Sequence, residues 1–177
     1  MDKILRIDLL SDLCSGSGDT YNSSIDTDIV YDDFGLPYIP AKRIKGCIRE
    51  SLLELIEFGV FDQRMMIDLF GNADKESSFS LSDARLEHYS DYVHDLKIKG
   101  ENRQFVLDLF TYSRTQTAID HETGTAKEDY LRTKRVLKRG LTFKALLSFN
   151  SDLTEEQIDA FTKASEIPLC VIKNEGI

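Results

Sequence analysis

Apolar positions along the chain change period several times, and each change marks an element. KILRIDLL (3–10) is short and rich in branched apolar residues, which predicts a first strand. SDLCSGSGDTYNSS (11–24) is a Ser-, Gly- and Asp-rich loop. IDTDIVYDD (25–33) is polar around a small β-branched centre at Ile29 and Val30, and DFGLPYIP (33–40) is a turn leading into an extended segment, because each proline disfavours helix in the residue before it. After Pro40, Ile44, Ile48, Leu52, Leu55 and Ile56 recur at i, i+4, i+8, i+11 and i+12, which predicts a helix to about Phe58 with one apolar stripe. DQRMMIDLFG (62–71) reads as a short helix closed by Gly71. SSFSLSDARLEHY (77–89) is strand-like through Phe79, Leu81 and Leu86; Ser90 to Lys99 carries no clear period. Residues 102–140 read as an extended excursion around the polar turn IDHETGTA. LTFKALLSFN (141–150) is a strong strand. DLTEEQIDAFTKASE (152–166) is a helix with Thr154 and Gln157 placed as a capping box and Ile158, Phe161 and Ala164 or Ser165 facing inward.

This order supplies the first five elements of a βαββαβ unit, an α+β ferredoxin-like fold with a long insertion over about 90–140. The sixth, closing strand has no good match: IPLCVIKNEGI begins with a proline near its start, and the last strand is expected to be missing. With 177 residues the chain is one domain by length and large enough for a real core.

Charge alters the picture. The net charge is -9 and the pI about 4.8, a balance that argues at first against a nucleic-acid partner. The distribution says otherwise. Ser11 to Ala41 has no Lys or Arg but holds Asp12, Asp19, Asp26, Asp28, Asp32 and Asp33. Lys42, Arg43, Lys45 and Arg49 then follow with no acid among them, and Arg132, Lys134, Arg135, Lys138, Arg139 and Lys144 form a second acid-free run. Lys42, Lys45 and Arg49 fall at helical spacings of three and four, a basic stripe. Cations at a helix N-terminus oppose the macrodipole; together with the free N–H groups of the first turn they make an anion site. The plain alternative for either run is a solvated face, helical in the case of the second.

Other chemistry is sparse. Cys14, Cys47 and Cys170 are scattered and odd in number, so no disulfide framework is expected and a reducing cytoplasm suits them. His88, His94 and His121 do not complete zinc-ligand spacings and read as surface residues. No apolar run approaches the length of a membrane span, and MDKILRIDLLSD does not have the form of a secretory signal. Tyr21, Tyr31 and Tyr38 could stack on bases, although buried tyrosines are common.

Four segments, in order, resemble a known family. LPYIPAKRIKGCIRESL resembles the "PYIPGSSLKGxLR" signature of the CRISPR-associated RAMP superfamily, with its closest likeness to backbone subunits of type III effector complexes. IDTDIVYDDFG resembles the acidic loop before that signature, LFG with FSLSDARL the "FG…fsDa" strand, and TAIDHETGTAKEDYLRTKRVLKRGLTF the "iDr.tGtA…E.v..Gt.F" segment. The resemblance implies a modified RNA-recognition-motif fold and a subunit that polymerises along a guide RNA, holds its phosphates, and inserts a hairpin thumb into guide–target pairing. Residues 112–131 would belong to the thumb or its base. Implied partners are guide RNA, single-stranded target RNA and other effector subunits in a homo- and hetero-oligomer, with no membrane.

Lys45 and Arg49 match the signature's Lys and Arg, and Lys42 and Arg43 stand where the family has two serines. All four are RNA-binding candidates, as are Arg132, Lys134 and Arg135. In many relatives an aspartate of the acidic loop cuts target RNA with a divalent metal such as Mg²⁺. Asp26 matches it best and would be the metal ligand, with Asp28 a near rival; a loop-capping Asx turn is the structural alternative. Asp83 is expected to tie its strand to the loop at 25–33. The family's Gly-rich "GxxRxxGfG" loop is absent, so either the chain is shortened or another chain completes the fold. Two further readings are a non-catalytic capping or structural subunit of such a complex, and an unrelated ferredoxin-like protein-interaction module.

Overall fold

The computed structural model describes residues 2–16, 25–117, 131–150, 153–166 and 171–175. Its centre is an antiparallel sheet. β1 (Asp2–Asp8) and β7 (Thr142–Phe149) pair along their whole length, with Leu5 opposite Ala145 and Ile7 opposite Phe143. β4 (Ala84–Leu86) pairs with the other edge of β7, and the two-residue β2 (Tyr38–Ile39) pairs with β4. β3 (Phe79–Leu81) continues along the same edge of β7. β8 (Val171–Glu175) pairs antiparallel with the free edge of β1. The order β4-β7-β1-β8 is that of a ferredoxin-like sheet.

β8 corrects the expectation of a missing last strand. Pro168 precedes the pairing residues, so it removes no N–H from the ladder.

Residues of alternate parity divide the sheet into two faces. Leu5, Ile7, Phe143, Ala145, Leu147, Ala84 and Leu86 are buried under helices. Those helices are α1 (Ala41–Glu57), α2 (Arg64–Phe70) and α5 (Glu155–Glu166), and they contact one another. Ile44, Ile48 and Leu52 carry α1 onto this core; Phe161, Ala164 and Ser165 carry α5, each fully buried. Phe79 and Phe161 meet edge to face with centroids 5.0 Å apart. The capping box forms: Gln157 N–H donates to Thr154 Oγ1, and Thr154 N–H to Gln157 Oε1.

The second part of the molecule is the 90–140 region with the loops it packs on. Tyr89–Lys99 is a helix, α3, closed by left-handed Gly100. None of its residues is fully buried; Tyr89, Val93 and Leu96, spaced i, i+4 and i+7, pack half-buried against the core. Arg103–Phe110 is also a helix, α4, capped by Asn102 on the Gln104 N–H. This corrects the reading of 102–110 as extended: Val106 and Leu107 are buried in the core. The excursion proper is a hairpin of β5 (Thr111–Gln116) and β6 (Arg132–Leu137). Gly35, at φ 84, lies against α4; a Cβ there would stand 2.3 Å from the Arg103 carbonyl oxygen, so only glycine fits. Tyr21, His121 and the turn around Gly124 lie outside the described residues.

Candidate nucleic-acid interface

The apolar stripe of α1 turns its other side outward. Lys42, Arg43 and Arg49 are exposed there. Arg43 reaches back to donate from Nη2 to the Gly16 carbonyl at 2.9 Å. Lys45 behaves differently. It is half-buried, its Nζ lies 5.0 Å from the Phe79 ring centroid, and desolvation lowers its pKa.

The start of α1 is occupied in part by the protein itself. Asp83 Oδ1 accepts from Ala41 N–H at 2.8 Å, and Pro40 O accepts from the N–H groups of Arg43 and Ile44. Among the described residues this leaves the Lys42 N–H as the first-turn donor without an acceptor. Asp83 therefore ties its strand to α1 and not, as expected, to the loop at 25–33. The carboxylate favours the positive helix end and offsets the crowding of cations there.

The acidic loop lies alongside the hairpin. Asp26 N–H donates to Thr133 O at 2.8 Å, and Arg135 N–H donates to Thr27 O at 3.0 Å. Residues 26–28 thus run parallel to β6. Asp26 is exposed, and its Oδ2 accepts from Thr133 N–H at 2.7 Å. Asp28 is buried, 5% exposed. Its Oδ1 accepts from Ile29 N–H at 2.8 Å and lies 3.0 Å from Arg135 Nε, a charge contact in which the buried Nε–H makes no well-aligned hydrogen bond.

The second basic run is likewise split. Arg135 is buried; besides Asp28 it meets Asp108 Oδ1 of α4, 3.2 Å from Nη1. Lys138 Nζ donates to the Asp108 and Leu109 carbonyls at the end of α4. Lys144 Nζ pairs with Glu87 at 3.0 Å and holds that carboxyl below the usual range. Arg132 and Arg139 are exposed and Lys134 half-buried. Arg135 and Asp28, expected as an RNA contact and a catalytic carboxylate, are thus turned inward onto each other.

The donor set decides how a divalent metal would fit. Asp28 is buried on Arg135 while Asp26 is exposed beside Thr133, so they do not form a two-carboxylate site. No group of three or more His, Cys, Asp or Glu side chains suitable for a metal occurs among the described residues. Asp26 Oδ1 suits a hard cation that keeps most of its waters and takes one protein carboxylate.

Tyr31 has the Arg103 guanidinium 4.7 Å from its ring, and Tyr38 has Arg85 at 5.9 Å, so both rings already face a cation. His88 is exposed, with Nδ1 3.6 Å from Asp91. The sequence reading passed over Asp32, Asp108 and Glu87. Asp32 Oδ1 accepts from the N–H groups of Phe34 and Leu36, while its Oδ2 accepts from the Tyr89 hydroxyl. The signal was present: Asp followed three residues later by Gly is a turn signature. The ion-pair partners of Asp108 and Glu87, Arg135 and Lys144, are distant in sequence, so no local pattern pointed to these pairs.

Among the described residues no helix is long and apolar enough to cross a membrane. No curated protein matches the chain. The fold is shared with solved structures, among them two of Type III-B Cmr-beta. One is a chain of "Cryo-EM structure of the Type III-B Cmr-beta bound to cognate target RNA", with TM-score 0.66 and 15% identity, covering 90% of this chain and 87% of that one. The other, from "Type III-B Cmr-beta Cryo-EM structure of the Apo state", has TM-score 0.65 and 12% identity, covering 99% and 96%. The family model of the RAMP superfamily matches residues 6–171, so the motif matches are not coincidental and the chain belongs to that superfamily.

Proposed function

We propose that this chain is a guide-RNA-binding backbone subunit of a type III CRISPR ribonucleoprotein effector complex, and that Asp26 takes part in metal-dependent cleavage of bound target RNA. One observation carries the reading. The exposed cations of α1 and the exposed carboxylate of Asp26 belong to one contiguous run of structure. Arg43 of α1 holds Gly16, Gly16 bridges to Ile29, and the 26–28 segment beside it carries Asp26. The structural relative from Cmr-beta bound to cognate target RNA supports the same assignment.

Lys42, Arg43 and Arg49 would hold backbone phosphates, and Arg132 and Lys134 would add contacts from the hairpin. The nucleophile is the RNA's own 2′-hydroxyl, so the chain's task is to fix the strand and present a carboxylate at the scissile linkage. Mg²⁺ or another divalent ion, held through Asp26, would supply charge stabilisation there. Other subunits of the complex and further copies of this chain are the expected protein partners.

A specific observation favours a second reading, a non-catalytic structural subunit. Asp26 Oδ2 already accepts from the backbone of β6, and no second exposed carboxylate stands beside it on the 26–28 segment. The two readings separate in the assembled complex with a labelled complementary target. Loss of cutting in Asp26→Ala, with target binding intact, supports the catalytic reading. Unchanged cutting refutes it and leaves the structural subunit.

A further inference from the structure

Arg135 is the most deeply buried of the described cations, turned onto the protein's own carboxylates. Its side chain is 10% exposed and that of Asp28 is 6%. The guanidinium joins three separate pieces of chain: its own strand β6, the 26–28 segment through Asp28, and helix α4 through Asp108. Asp108 is itself held by Gln104 Nε2 at 2.8 Å, one turn earlier on α4. Two residues before Arg135, the Thr133 carbonyl accepts from Asp26 N–H and the Thr133 N–H donates to the Asp26 side-chain Oδ2. Two residues before Asp28 stands Asp26. The buried pair and the exposed carboxylate therefore share one parallel register.

A one-residue slip of 26–28 along β6 would carry both side chains to the other face and take Asp28 off Arg135. A slip would also leave Arg135 buried without its partner, which is strongly unfavourable. We propose that Arg135, with Asp28 and Asp108, is a positioning device that fixes the acidic loop in register on the hairpin. It thereby sets where the Asp26 carboxylate is presented. The role of Asp26 in cutting rests on the function proposed above; the positioning role does not.

The test uses the assembled complex carrying Arg135→Met, Arg135→Lys or Asp26→Ala. Amide hydrogen exchange is followed at Asp26, Thr133 and Arg135, with the amides of α5 as an internal reference. The expected result is exchange at those three amides at least about tenfold faster in Arg135→Met, with α5 unchanged and a smaller effect in Arg135→Lys. Target affinity should stay within about twofold, while single-turnover cutting falls by roughly tenfold to a hundredfold, the scale of a misplaced group. Unchanged exchange at the three amides overturns the proposal. So does an equal rise in α5, which marks a general loss of stability. If Asp26→Ala still cuts, the catalytic reading fails, and the exchange result alone decides the positioning role.

Discussion

On α1 the cations Lys42, Arg43 and Arg49 stand in solvent; on and after β6, Arg135, Lys138 and Lys144 are turned onto the protein's own acids and carbonyls. The two runs look alike in sequence, each free of acids. Geometry separates them. A helix with a single buried stripe leaves most of its remaining positions in solvent, Lys42, Arg43 and Arg49 among them. A strand sends neighbours to opposite sides, so Lys134 and Arg135 part company. A charge run in sequence therefore gives a concentration of charge, and only the element under it gives a direction.

The largest expected effect breaks this comparison on the buried side. Arg135→Ala should lose about 3–5 kcal/mol of folding stability, because it leaves Asp28 buried and unpaired. Lys42→Ala should stay within about 0.5 kcal/mol of the parent. Chemical denaturation of the two variants checks both values; equal losses would erase the distinction between the runs.

The next effect is on α1. Asp83→Ala removes the acceptor of the Ala41 N–H and should cost about 1 kcal/mol, as for other lost helix caps. It should also strengthen RNA binding slightly at low salt, since a carboxylate leaves the positive helix end. Melting curves and a binding titration would read the two changes together. Lys138→Met should cost less, about 0.3–1 kcal/mol, by uncovering the carbonyls at the end of α4.

The smallest effect is a pH dependence. Lys144 holds the Glu87 carboxyl below its ordinary value of 4.5. A depressed carboxylate stabilises the fold above that ordinary value, and the contribution is lost as pH falls through the folded value. The acid limb of a melting profile between about pH 6 and 3 should therefore be shallower in Glu87→Gln than in the parent. Identical limbs would show that the Lys144 pair adds nothing.

Much of this architecture was legible in the sequence. Strand β1, helix α1, strand β7 and helix α5 each carry a long, regular apolar period, and the capping box at Thr154 marks the start of α5. Two helices were not legible because their apolar stripes are short and mostly half-buried: Tyr89, Val93 and Leu96 in α3, and Val106, Leu107 and Phe110 in the eight-residue α4. The closing strand was obscured by a proline that lies before the pairing residues. At the site, helical spacing gave Lys42 and Arg49 as exposed cations, but Lys45 of the same stripe is half-buried against Phe79, and the exposed Arg43 lies off the stripe. The inward turn of Asp28 and Arg135 was not legible, because it depends on a parallel pairing between segments more than a hundred residues apart.

The central claim is that the exposed cations of α1 seat RNA phosphates. The most direct test is the salt dependence of binding to a labelled single-stranded RNA, measured with the chain in its complex. Parent protein is compared with the triple variant Lys42→Ala, Arg43→Ala and Arg49→Ala. The slope of log affinity against log salt should flatten by about two in the variant, at roughly 0.7 for each phosphate contact on a single strand. An unchanged slope in a folded, assembled triple variant would contradict the account and move the RNA seat away from α1.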